Sequence, residues 1–159
     1  MTSVRRQPRG PRLERAKVLN PKKGIALFTD GSCWTKDRIG GWAWCAIDCF
    51  GGEQVGTGAV HDTTSARMEM QAWVEGLNWV FEVLGSCDVL VYSDSEFVVL
   101  GVEDPARTRR ANRDLWFDLD SVLEKHSYVE PIWVKGHADS HYNRLVDELA
   151  GNARKAARE

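Results

Sequence analysis

Four acids in this chain, Asp30, Glu69, Asp94 and Asp147, have the types and spacing to do chemistry together. Asp30 closes the apolar run Ile25-Ala26-Leu27-Phe28-Thr29, and Asp94 closes Val89-Leu90-Val91-Tyr92-Ser93. Each is followed at once by Gly or Ser, so each reads as a carboxylate at the end of a buried strand, with the chain turning just past it. A carboxylate placed there is costly unless hydrogen-bond donors or a cation compensate it. Glu69 falls about one turn into an amphipathic helix, and Asp147 lies in a terminal helix beside the apolar Val146 and Leu149. Four converging acids repel one another and are driven to protonate. Hard divalent cations such as Mg²⁺ take carboxylate oxygens and remove that cost. Two such ions, about 3.5–4 Å apart, clamp the attacking and leaving oxygens of a phosphodiester without a dedicated base. Any one of these acids alone would read as a helix cap or a solvated side chain. Two strands ending in Asp-Gly and Asp-Ser weigh against that for the set.

The elements that must position these acids follow from periodicity. A first strand is expected over 24–31 and a second over 42–49, with Trp42 and Trp44 on one face and Ala43 and Cys45 on the other. Phe50-Gly51-Gly52 reads as a hairpin turn, and 53–60 returns as a Gly-rich edge strand. Thr64 and Ser65 are equally good caps for a helix on which Met70, Trp73, Leu77, Val80 and Leu84 share one face. Asp88–Ser93 is a short apolar strand, and a strand, a long helix and a strand suggest a right-handed parallel crossover. A short helix over 95–102 is broken at Asp104-Pro105, and a further helix packs Leu115, Trp116, Leu119, Val122 and Leu123. Residues 129–134, interrupted by Pro131, form a last edge strand. The terminal helix is expected over 140–157, with Leu145, Leu149 and Ala153 inward. The sum is an α/β domain with a five-stranded mixed sheet, three antiparallel strands then two parallel, flanked by helices.

Composition bounds the alternatives. A chain of 159 residues with 43% hydrophobic residues and seven Trp has the material for one packed core. No apolar run reaches membrane-spanning length and no signal-peptide core is visible, so a soluble, cytoplasmic, monomeric protein without a membrane partner is expected. Cys33, Cys45, Cys49 and Cys87 form no C-x-x-C pair and read as reduced thiols ahead of a zinc site. The net charge of −2 is unevenly distributed: residues 1–23 carry eight of the 21 basic residues and one acid, a net +7, which leaves −9 on residues 24–159. A basic, Pro- and Gly-containing arm on an acidic body suits a visitor to a polyanion, and reads equally well as a leader. Arg107, Arg109, Arg110 and Arg113 form a second basic cluster.

Five short motifs then stand in order: Phe28-Thr29-Asp30-Gly31-Ser32, Arg67-Met68-Glu69-Met70, Ser93-Asp94-Ser95, Trp133-Val134-Lys135-Gly136-His137 and Asn143-x-x-x-Asp147-Glu148-Leu149-Ala150. Together they resemble the type 1 ribonucleases H over about residues 24–155. The resemblance implies a ribonuclease H-like fold and divalent-metal-dependent cleavage of the RNA strand of an RNA/DNA hybrid, leaving 3′-hydroxyl and 5′-phosphate ends. It implies that Asp30, Glu69, Asp94 and Asp147 hold two Mg²⁺ ions, with Mn²⁺ a possible substitute. His137 is implied to assist proton transfer and product departure. Ser32, Cys33, Ser65, Arg67, Ser95 and Asn143 are implied to lie against the substrate, and the charge of the cluster Arg107, Arg109, Arg110 and Arg113 suits contacts to its phosphates.

The chain departs from that pattern in three places. Ser65-Ala66 stand where family members often carry two Asn that contact the RNA minor groove. Trp34-Thr35-Lys36-Asp37-Arg38 replaces a Gly/Pro-rich loop, with Trp34 read as a partly buried aromatic ahead of a stacking platform. Residues 103–113 are too few for the basic protrusion of some members. Two other readings remain: a different nuclease on the same fold, and a catalytically silent hybrid-binding module. The full set of four acids weighs against the silent module.

Overall fold

The hydrophobic pattern resolves into a sheet of order β3-β2-β1-β4-β5 in the computed structural model, which describes residues 19–135 and 140–159. The strands are β1 (Ile25–Cys33), β2 (Gly40–Ile47), β3 (Glu53–Val60), β4 (Asp88–Ser93) and β5 (Tyr128–Trp133). β1, β2 and β3 pair antiparallel, while β4 joins β1 and β5 joins β4 in parallel. The helices are α1 (Ser65–Leu84), α2 (Glu96–Glu103), α3 (Pro105–Thr108), α4 (Arg113–Leu123) and α5 (His141–Arg158). The mixed sheet expected from the sequence is therefore the observed one.

Alternation along β1 assigns the layers. Ile25 and Leu27 point into the larger core, where they meet Met70, Trp73 and Leu77 of α1 and Leu115, Trp116 and Leu119 of α4. Phe28 points the other way, into a smaller cluster with Ala43, Cys45, and Val146 and Ala150 of α5. By the same alternation Asp30 and Ser32 share the α5 face with Phe28, and Gly31 shares the α1 face with Leu27. Phe28 stacks on Tyr92 at 4.6 Å, so the two central strands are in register where their acids emerge.

Several boundaries differ from the sequence expectation, each for a local reason. β1 does not turn after Asp30: Gly31, Ser32 and Cys33 go on pairing with Trp42, Gly41 and Gly40 of β2. Thr64 caps α1, its hydroxyl accepting from the Arg67 N–H at 3.2 Å, so Ser65 becomes the first helical residue. Pro105 stops α2 and also starts α3, since its fixed φ suits a first helical position. On α5 the deepest stripe is Val146, Ala150 and Arg154, one residue on from the expected Leu145, Leu149 and Ala153, which are half-buried. Trp133 is 48% exposed at the end of the edge strand β5. At the other end, Leu19 is 2% exposed and belongs to the core, and Asn20 caps the 3₁₀ turn Pro21–Lys23. The packed domain thus begins within the stretch read as a basic arm, whose residues 1–18 lie outside the described residues.

Candidate active site

Two parallel strands and one helix bring three acids together. Asp30 on β1 and Asp94 just past β4 follow the paired residues Thr29 and Ser93, so they emerge side by side. Glu69 comes from the start of α1. One carboxylate oxygen from each of Asp30, Glu69 and Asp94 lies within 4.8 Å of the others. Asp147, on the exposed flank of α5, lines the same cleft with Asp30, Asp94, Asn143 and Lys135. Its carboxyl adds a small part to the rise of the Asp30 pKa.

Gly31 makes the arrangement possible. Its backbone N–H donates to Asp30 Oδ1 at 2.8 Å and to Glu69 Oε1 at 2.7 Å. A Cβ at this position would sit 2.4 Å from the Glu69 backbone nitrogen and from the Met68 carbonyl carbon. Only glycine lets α1 come close enough for one N–H to bridge both carboxylates.

The electrostatics are those of a site short of positive charge. Asp30 is 6% exposed. Burial raises its pKa, and the charges of Glu69 and Asp94 raise it further. Burial also raises Glu69, while its hydrogen bonds with Asp30 and Gly31 oppose the rise. The hydrogen bond between the pair raises Asp30 and lowers Glu69, and the two titrate as a pair. Three clustered hard oxygen donors carrying an energetic penalty in their ionised form fit a divalent cation. Asp30, Glu69 and Asp94 have the reach to hold one, and Asp147 stands at the same cleft.

The other expected site residues divide by what they already touch. Asn143 faces the cleft beside Asp147. Ser65 is exposed at the start of α1. Ser32 Oγ accepts from Arg154 Nε at 3.1 Å, and the Cys33 thiol donates to the Thr63 carbonyl at 3.6 Å. Ser95 is buried as the N-cap residue of α2, its N–H donating to Ser93 Oγ at 3.0 Å. Arg67 forks onto Asp114 of α4 at 3.0 and 2.6 Å and reaches Asn112. Arg109 forks onto Asp120 at 2.5 and 2.8 Å, donates to the Gly101 carbonyl and lies 4.2 Å from the Trp116 ring centre. That guanidinium ties α2 to α4. Arg110 and Arg113 are exposed. His137 and the Arg107 side chain lie outside the described residues.

Lys135 and Arg154 went unassigned in the sequence reading. Lys135 sits in one of the five motifs and so was within reach. Arg154 had a signal too, the i, i+4, i+8 spacing from Val146 and Ala150.

The comparisons with known proteins agree with this geometry. The RNase H family model matches residues 22–155. The chain belongs to the RNase H family. Ribonuclease H of Francisella philomiragia is 34% identical over 149 residues, covering 86% of this chain and 94% of the relative. That of Francisella tularensis subsp. novicida is 33% identical over 150 residues, covering 86% and 95%. Among solved structures, LC11-RNase H1 in complex with an RNA/DNA hybrid shares the fold at a TM-score of 0.74 and 18% identity, over 85% of this chain and 99% of that one. The N-terminal RNase H domain of a Mycobacterium tuberculosis protein, solved as a maltose-binding-protein fusion, gives 0.74 at 19% identity, over 84% and 95%. As an RNase H the chain is a nuclease, of a family that depends on divalent metal. Among the described residues no helix is long and apolar enough to cross a membrane.

Proposed function

We propose that this RNase H is an endoribonuclease that hydrolyses the RNA strand of RNA/DNA hybrids, leaving 3′-hydroxyl and 5′-phosphate ends. The observation that carries the reading is the convergence of Asp30, Glu69 and Asp94 within 4.8 Å at the junction of β1, β4 and α1. Asp30, Glu69, Asp94 and, from α5, Asp147 hold the metal. Two divalent ions there, Mg²⁺ or Mn²⁺ in its place, would supply the positive charge for activating water and stabilising the leaving oxygen. His137 moves the proton as product departs. The Gly31 N–H keeps Asp30 and Glu69 together while substrate enters. Ser65 and the backbone at Ala66 meet the 2′-hydroxyls of the RNA strand, where hybrid shape and not base sequence is recognised. Ser32, Cys33, Arg67 and Ser95 shape that surface from behind through the contacts described above. Arg110, Arg113 and the basic residues 1–18 contact phosphates. The enzyme works as a cytoplasmic monomer.

Uniformly labelled hybrid, duplex DNA and each single strand, digested side by side in Mg²⁺, test the reading. The expected result is cleavage confined to the RNA strand of the hybrid. Cleavage of DNA as readily as RNA would overturn it in favour of another nuclease activity on the same fold.

A further inference from the structure

The end of β1 is tied to two helices through consecutive residues. Gly31 is bound on the α1 face to Glu69, and Ser32 is bound on the α5 face to Arg154. Arg154 is 7% exposed, an unusual setting for a guanidinium. Its Nε donates to Ser32 Oγ, and its charge lies 4.6 Å from the Trp34 ring centre. Arg158, one turn further on, lies 4.0 Å from the same ring centre and pairs with Asp37 at 2.8 Å. The loop between β1 and β2 is thereby fastened to α5 through Trp34 and Asp37. Beside it, α5 presses directly on β2: a Cβ at Gly41 would sit 2.2 Å from the Ala150 carbonyl oxygen and 2.7 Å from the Arg154 nitrogen.

The same helix carries Asp147 seven residues before Arg154, two turns along and on a neighbouring stripe. On β1, Ser32 lies two residues after Asp30 and on the same face. Whatever fixes Ser32 against Arg154 therefore fixes Asp30 against Asp147. We propose that Arg154 is a positioning residue: its grip on Ser32 and Trp34 sets where α5 holds Asp147 relative to Asp30. Arg154 keeps one guanidinium nitrogen, Nη1, buried without a hydrogen-bond partner among the described residues. Such a group is a poor choice for stability alone, since an apolar side chain of similar volume often serves as well or better. The inference rests on the carboxylate site being where metal and substrate meet.

The test uses the full chain with Arg154→Met. Thermal unfolding is read without metal, metal affinity by substrate-free titration with Mg²⁺ and Mn²⁺, and kcat and KM on a hybrid. The expected result is a metal-free Tm held or raised, a metal midpoint about 10-fold higher, as when an outer support of a ligand set is lost, and kcat lower by about 10-fold at near-constant KM. Ser32→Ala removes only the acceptor and is expected to move metal midpoint and kcat in the same direction, by about 3-fold. It decides the matter if Arg154→Met does not fold. Wild-type metal midpoint and kcat in both variants, with or without a lowered Tm, overturn the inference alone. A parent chain that neither binds metal nor cuts hybrid overturns it together with the proposed function.

Discussion

The backbone N–H of Gly31 donates to Glu69 Oε1 at 2.7 Å, and this contact joins the central strand to α1 at the point where the acids converge. The same N–H reaches Asp30 Oδ1 at 2.8 Å, so one donor orients two carboxylates. Gly31→Ala drives a methyl group into the α1 backbone. The expected outcome is a destabilisation of about 3 kcal/mol, at the upper end for overpacking, with activity lost even where the protein remains folded. Chemical denaturation and hybrid cleavage measured together check it. A stable, active Gly31→Ala variant would show that α1 has room to retreat.

Asp30 and Glu69 both have folded pKa values above their ordinary values of 3.8 and 4.5, because of burial and, for Asp30 especially, neighbouring acids. The folded state then binds protons more tightly than the unfolded chain, so the stability they confer is present at low pH and lost as pH rises. Without divalent metal, Tm is expected to fall as pH rises from about 5 to about 8, by roughly 3 °C or more. Saturating Mg²⁺ is expected to flatten that fall. A metal-free Tm that is constant or rises over this range would contradict the buried-carboxylate account.

The basic cluster before α4 separates into two kinds of residue. Arg109→Ala is expected to cost about 1–2 kcal/mol of stability, since it breaks a forked, half-buried link from Asp120 to the Gly101 carbonyl. It should leave the salt dependence of hybrid binding unchanged. Arg110→Ala and Arg113→Ala are expected to do the reverse, each reducing the slope of log affinity against log salt by about 0.9. Binding titrations at several salt concentrations distinguish the two, and a changed slope in Arg109→Ala would return that residue to the phosphate contacts.

Where the arm ends is testable by truncation. Removing residues 1–18 takes away six of the basic residues and is expected to weaken hybrid binding and flatten its salt dependence, with Tm and turnover held. Removing residues 1–22 also takes Leu19 from the core and is expected to cost about 2–3 kcal/mol of stability. Unchanged affinity at low salt in the shorter truncation would make the arm a bystander to binding.

Much of this architecture was legible because strand and helix periods were clean. The alternation of Trp42 and Trp44 with Ala43 and Cys45, and the Met70–Trp73–Leu77 spacing, assign layers that the structure reproduces. Asp30 and Asp94 could be paired because each closes an apolar run on neighbouring parallel strands. The continuation of β1 to Cys33 was hidden, since Asp-Gly-Ser has turn chemistry and only pairing with Gly40 and Gly41 keeps it extended. The role of Gly31 was hidden for a related reason: a close approach of α1 leaves no trace in local composition. The charges of Arg109 and Arg67 show in the sequence, whereas the Asp120 and Asp114 that pair with them from another helix do not.

The central claim is that the acids around Asp30 form the catalytic metal site, and the rate of RNA-strand cleavage by Asp30→Asn in saturating Mg²⁺ tests it most directly. The substitution keeps the shape of the side chain and removes one negative charge from a site that faces phosphate. The account predicts cleavage slower by about 10³-fold or more, as when several kcal/mol of transition-state stabilisation are lost, with hybrid binding retained or tightened. An Asp30→Asn variant that cuts hybrid as fast as the parent would contradict it.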